Sequence, residues 1–194
     1  MKNQTIRRSR GFTLVELLVV ISIIMVLAAL GFAGVTSAMR KAKSTQSLNL
    51  GTNLAQAINN YVDEYGALPV AAATSAPIST DSQPGVTLLR VLLAQETGTT
   101  ILNTRSIRFL EAKTAKARKG GLDYGTGNGT TVLGMYDAFG NAYNIAFDED
   151  YNDEITNPNS IGNSDQTILR GFKAVIYTAG ADRSLRTKDD VKTW

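Results

Sequence analysis

The sequence predicts an α+β fold: a long N-terminal α-helix packed on a small antiparallel β-sheet head. Three observations predict it. An uncharged apolar run from Leu17 to Val35 passes into Leu48, Leu50, Leu54, Ala55, Ala57, Ile58, Tyr61 and Val62, which recur at roughly helical spacing. Gly66 and Pro69 then mark a stop. Beyond them, Ala142–Phe147 and Phe172–Thr178 are enriched in β-branched and aromatic residues, as strands are.

The apolar run contains Ser22 as its one clearly polar residue and is about long enough to cross a hydrocarbon core. Met39-Arg40-Lys41-Ala42-Lys43 closes it with charge, and the helix continues to about Tyr65. At about 1.5 Å per residue, a helix from Phe12 to Tyr65 would measure roughly 80 Å. Basic residues ahead of the run set its orientation. Lys2, Arg7, Arg8 and Arg10 precede it and act as a cytoplasmic-side signal. The net charge of +3 and pI of about 9.2 therefore mislead as a nucleic-acid signal. Without residues 1–11 the chain carries 16 basic and 17 acidic residues. Mean hydropathy is −0.07, ordinary for a globular protein, so the apolar character is concentrated in one place.

There is no Cys and no His. That excludes a His-based triad, a Cys nucleophile, a typical zinc site, a haem ligand and any disulfide. Chemistry using Asp, Glu, Ser, Lys or Tyr remains open, but no catalytic constellation stands out, and the chain reads as a structural protein and not an enzyme.

The decisive stretch is Arg8-Ser9-Arg10-Gly11-Phe12-Thr13-Leu14-Val15-Glu16. A secretory signal is cut after its apolar region, whereas here a Gly stands before it. An ordinary signal anchor would make Gly11 and Glu16 accidental. Against that stands Glu16, a carboxylate at the edge of an uncharged span, which is costly in lipid unless paired. The stretch resembles the cleavage and methylation signature of the type IV pilin and pseudopilin superfamily. The resemblance implies that a prepilin peptidase cuts after Gly11 and methylates the new amine of Phe12. It also implies that Glu16, at the fifth mature position, compensates the amine of a neighbouring subunit during assembly. Members commonly have Pro at the twenty-second mature position, where this chain has Ala33 between Gly31 and Gly34. Melting of the helix there is thereby in question.

In the head, Val70–Pro84 reads as a loop, Val86–Gln95 as a short helix and Ser106–Glu111 as a strand. Lys113–Lys119 is a basic patch, read as solvated surface. Gly120–Gly134 is glycine-rich and reads as a flexible loop, without the Lys-Ser/Thr pair of a phosphate loop. The two best strands are joined by a polar insertion of about two dozen residues and should pair antiparallel. Asp137-Ala138-Phe139-Gly140-Asn141-Ala142-Tyr143 resembles the D-x-W-G-x-x-Y turn of major pseudopilins of type II secretion systems, with Phe139 in place of Trp. Tyr177-Thr178-Ala179-Gly180-Ala181-Asp182 and Asp189-Asp190-Val191-Lys192-Thr193-Trp194 resemble their closing strand, G-A-D turn and acidic end.

That resemblance implies a calcium ion held by Asp182, Asp189 and Asp190, and no other cofactor. Arg183, Arg186 and Lys188 interrupt the loop and would repel calcium unless they point outward. A second candidate is Asp148, Asp150 and Asn152, at the first, third and fifth positions of an EF-hand-like loop. Its sixth position is Asp153 and its twelfth Asn159, so a solvated acidic hairpin is the competing reading.

The organisation expected is residues 1–11 as a cleaved basic leader, 12–38 as a transmembrane and polymerisation helix, 39–65 as its amphipathic continuation and 66–194 as the head. The expected role is a type II secretion pseudopilus subunit in the bacterial inner membrane, single-pass, with leader cytoplasmic and head periplasmic. Its expected partners are its own copies, prepilin peptidase, the inner-membrane assembly platform and minor pseudopilins, with no nucleic acid. The alternative is a type IV pilus pilin. Most such pilins carry a disulfide, which this chain cannot form.

Overall fold

The computed structural model describes residues 11–70, 76–125, 129–162 and 165–194, apart from the side chains of residues 30–34. The leader lies outside this description for residues 1–10, as does the side-chain environment of Ala33 on which the melting question turns. Helix α1 runs Leu14–Tyr65. The chain divides into two compact units, Met1–Lys41 and Ala42–Trp194.

In the first unit, the apolar side chains stand open: Phe12, Leu14, Val15, Leu17, Leu18 and Ile24 through Leu27 are all more than half exposed. Ser22 donates its hydroxyl to the Val19 carbonyl at 2.8 Å, so the one polar side chain of the run is satisfied within the helix. Among the described residues no helix is long and apolar enough to cross a membrane. The described apolar stretch stops at Ala29, short of the about 20 residues a span needs, while the run read from the sequence continues through residues 30–34.

The second unit is α+β. Its core face on α1 is Leu50, Leu54, Ala57, Ile58 and Tyr61, all buried and spaced by three, four or a single residue along one stripe. A four-stranded antiparallel sheet packs there in the order β1-β4-β7-β8: β1 Ile78–Ser79, β4 Asn144–Phe147, β7 Ala174–Thr178 and β8 Val191–Lys192. The two strands foreseen from sequence pair antiparallel with Ile145 opposite Ile176. Gly51 permits the close approach of helix to sheet: a Cβ there would sit 3.3 Å from Thr193 Cγ2 and 3.4 Å from Tyr143 Cε1. Gly66, at φ 68°, ends the helix by donating its N–H to the Val62 carbonyl at 2.8 Å.

Several sequence readings are corrected. The short helix α2 is Gln83–Leu92, three residues earlier than foreseen, because Ser82 caps it, accepting the Gly85 N–H at 3.3 Å, and Pro84 suits its first turn. Ser106–Glu111 is not a strand. Phe109 and Leu110 both donate N–H to the Leu92 carbonyl at 2.9 and 3.1 Å, and the Phe109 ring packs edge-on against Tyr61 at 5.4 Å. The segment thus fastens the end of α2 instead of joining a ladder. Gly120–Gly134 contains strand β2 Gly121–Asp123, which pairs with β3 Gly134–Tyr136; residues 126–128 lie outside the described ones. Leu122 and Met135 bury this hairpin on the core. The loop read at Val70–Pro84 includes β1, with residues 71–75 outside the description. The polar insertion holds a hairpin, β5 Glu154–Thr156 with β6 Ile168–Arg170, whose Ile155 and Leu169 form a second small core with Val175.

Candidate functional site

The head is fastened around one buried carboxylate. Asp137 is fully buried, and its Oδ1 accepts N–H bonds from Phe139, Gly140 and Asn141 at 2.8, 2.7 and 2.8 Å. Its Oδ2 accepts the Thr178 hydroxyl at 3.0 Å and the Asn141 side-chain amide at 3.1 Å. Gly140 supplies the φ of 97° that the turn requires. The turn then grips α1: Ala138 donates N–H to Ser47 Oγ at 3.0 Å, and Tyr143 donates its hydroxyl to the Ser47 carbonyl at 2.7 Å. Burial raises the Tyr143 phenol well above its usual range, with the Asp137 charge adding to the effect. The Asn141 amide also donates to the carbonyls of Ala179 and Gly180, linking this turn to the closing loop.

That loop gathers Asp182, Asp189 and Asp190, one carboxylate oxygen of each lying within 4.8 Å of the others. Asp190 Oδ2 accepts from the Asn159 amide at 2.7 Å and from the N–H groups of Arg186 and Thr187 at 2.7 and 3.0 Å. The Thr187 hydroxyl lies 2.9 Å from Asp189 Oδ1 and 3.0 Å from Asp190 Oδ1. Desolvation works to raise the Asp189 carboxyl, but bonds from Thr187 and from the Asp182 and Ala181 N–H groups outweigh it and hold the carboxyl below its usual range. The spacing suits calcium, whose bonds of about 2.3–2.6 Å place ligand oxygens up to about 5 Å apart. Asp190 Oδ2 is committed to three N–H donors. Asp189 Oδ1 and Asp190 Oδ1 share the one Thr187 hydroxyl proton and Asp182 Oδ1 accepts the Ser184 N–H at 2.8 Å, so an ion here would displace the Thr187 proton. Arg183, Arg186 and Lys188 are all exposed.

Asp148, Asp150 and Asn152 are arranged differently. Asp148 is buried and closes its own turn, accepting N–H bonds from Asn152 at 3.0 Å and Asp153 at 3.1 Å, with Lys173 at 4.0 Å. Asn152 donates its amide to Asp150 at 2.7 Å. Among the described residues these acids do not join a group of three, whereas those of the closing loop do.

At the other end of the chain, Gly11 and Phe12 are exposed and precede the helix. Thr13 and Glu16 form a reciprocal cap. Glu16 Oε2 accepts the Thr13 N–H and hydroxyl, each at 2.8 Å, while Thr13 Oγ1 accepts the Glu16 N–H at 3.2 Å. The carboxylate is thereby held on the Thr13 N–H at the helix N-terminus, where the helix dipole favours negative charge.

Residues 6–32 match the prokaryotic N-terminal methylation motif. The chain thus carries a type IV pilin-like prepilin signal. The motif implies a membrane-anchored amino terminus, processing by a prepilin peptidase and assembly into filaments. No curated protein and no solved structure matches the chain. Within the motif, sequence reasoning missed the role of Thr13, although T-x-x-E before an apolar run is a readable capping signature. In the head it missed Ser47, Asn141, Asn159 and Thr187, whose roles depend on contacts between residues distant in sequence.

Proposed function

We propose that the chain is a structural subunit of a type II secretion pseudopilus, polymerised through its apolar helix after cleavage at Gly11–Phe12. The observation that carries this reading is the methylation motif joined to a head closed by polar contacts, with no cysteine available for a disulfide. In this reading the head sits in the periplasm, the helix in the inner membrane, and the partners are other copies, the assembly platform and minor pseudopilins. Glu16 compensates the amine of the neighbouring Phe12, because two opposite charges buried together are tolerated where either alone is not. The closing loop takes calcium on Asp182, Asp189 and Asp190; the ion's two positive charges when bound offset two of the three carboxylate charges and stiffen the loop. A filament role requires no catalytic residue, and the chain is proposed to act without one. Deleting the chain and scoring secreted protein and surface fibres tests the proposal: secretion should fail while fibres persist. Loss of fibres with intact secretion would favour a type IV pilus pilin.

A further inference from the structure

The head carries its charge unevenly along α1. At the end where the chain enters it, Lys43 is exposed and lies over the Phe139 ring at 5.9 Å. Beside it projects a tight turn closed by reciprocal Lys116–Lys119 backbone bonds of 3.2 and 3.1 Å. Its neighbourhood is fixed by two glycines: a Cβ on Gly140 would sit 3.4 Å from Lys119 Cγ, and one on Gly120 would meet the Gln46 side chain and lie 3.8 Å from Lys113 Cε. Lys113, Lys116, Arg118 and Lys119 are all exposed. Arg118 is engaged with Asp123 at 3.4 Å and stacks over Tyr136 at 4.8 Å. Among the described residues Lys43, Lys113, Lys116 and Lys119 enter no ion pair. Glu111 and Asp123 are the acids in this stretch, so the cations outnumber them. The turn tip is Ala117-Arg118, with φ of 50° and 57°, conformations that favour Gly or Asn.

The acids gather at the far end. Glu149, Asp150 and Asp153 lie in the loop before β5, whose Tyr151 hydroxyl accepts the Leu68 N–H at 3.2 Å, just beyond the end of α1; of the flanking acids, Asp148 is buried beside Lys173 and Glu154 pairs with Arg170 at 2.7 Å. Lys43 and Tyr65 are separated by roughly 33 Å of helix at about 1.5 Å per residue. The closing loop is balanced, with Asp182, Asp189 and Asp190 against Arg183, Arg186 and Lys188.

We infer that the Lys43–Lys113–Lys116–Lys119 face is a docking surface for an anionic lipid bilayer, which seats the head on the membrane before it is drawn into a filament. This rests on the membrane-anchored reading above. Arg40 and Lys41 precede Lys43 in the chain, a few residues after the apolar run that ends at Val35, so the chain tethers the face near the headgroups, and cations within about 10 Å of an anionic surface at 0.1 M salt are drawn to it. Phe139, half-buried beneath Lys43, adds an apolar ring to the face, of the kind that interfacial segments bury at the headgroup boundary. The acidic end, repelled by the same surface, favours the same orientation.

The absence of cysteine makes the test direct. Full-length Ala117→Cys protein is placed in neutral phosphatidylcholine vesicles and in vesicles with about one-third phosphatidylglycerol, and its outward-facing thiols are timed against a bulky maleimide. The rate should fall at least about five-fold in the anionic vesicles at low salt and recover at about 1 M salt, where the screening length is about 3 Å. Adding Lys113→Glu, Lys116→Glu and Lys119→Glu should abolish the slowing. Chain that floats with both vesicle types but reacts equally in both overturns the docking face alone. Chain that floats with neither overturns the anchored reading and this one with it. Slowing that follows the protein-to-lipid ratio in neutral vesicles assigns the face to a second copy and also overturns the proposal.

Discussion

Replacing Asp137 by Ala should destabilise the head as much as truncating a large core side chain. The carboxylate accepts five bonds from donors on the turn and on β7. A buried donor left unsatisfied costs about 1–3 kcal/mol. The costs do not sum fully. Phe139, Gly140 and Asn141 are only half-buried and regain water, and Thr178 keeps the Ala142 carbonyl at 3.1 Å. Breaking such a buried charged network by removing one partner typically costs about 3–5 kcal/mol. For a unit of about 150 residues, each kcal/mol lowers Tm by about 2–4 °C, giving a fall of roughly 6–20 °C. Thermal unfolding of the full chain in detergent, followed by far-UV circular dichroism, measures it. Asp137→Asn retains the shape and one acceptor oxygen, and should fall between wild type and Ala. A Tm within about 2 °C of wild type for Asp137→Ala would refute the reasoning.

Glu16→Ala should leave cleavage at Gly11 intact and reduce filament yield, read by intact mass and by sedimentation of sheared filaments; normal yield would contradict the charge-compensation role. Gly180→Ala would drive a Cβ into the backbone carbonyl of Asp189, which cannot swing aside, and should cost about 1–3 kcal/mol in a melt. Calcium should raise Tm in wild type and leave Asp189→Asn/Asp190→Asn unchanged; an equal response to calcium and chelator in both would remove the ion from the closing loop. The Tyr61 phenol is pushed up to about 12 from 10.0 by burial, then by the charges of Glu96 and Tyr65. Because its folded value lies above the unfolded one, its contribution is complete below about pH 10 and lost as pH rises through about 12. Alkaline titration should therefore show Tyr61 ionising together with unfolding, and tyrosinate absorbance complete at pH 10 in folded protein would contradict it.

Residue pattern alone specified a good part of this architecture. The helix was legible because Leu50, Leu54, Ile58 and Tyr61 fall on one stripe and Gly66 stands at its end. Strands β4 and β7 were legible because Ile145, Val175 and Ile176 are β-branched residues in short runs bounded by polar ones. Phe109 and Leu110 misled because an apolar pair in extended backbone looks the same whether it joins a ladder or fastens a helix end. The hairpin at Leu122 and Met135 was hidden by surrounding glycines, which signal freedom locally while two buried side chains remove it. The Gly11–Phe12–Glu16 signature was plain in order and spacing. The closing loop's acids could be named from sequence, but not the donors Asn159 and Arg186 N–H that position them.

Trp194 lies against the second small core, its ring edge-on to Tyr177 at 6.0 Å and packed on the cluster of Ile155, Leu169 and Val175. It is the one tryptophan of the chain. Its intrinsic fluorescence is therefore an optical gauge of whether the β5–β6 hairpin stays seated on the sheet, while circular dichroism is dominated by α1. Comparing the two signals during heating distinguishes a hairpin that peels away early from a head that melts as one cooperative block.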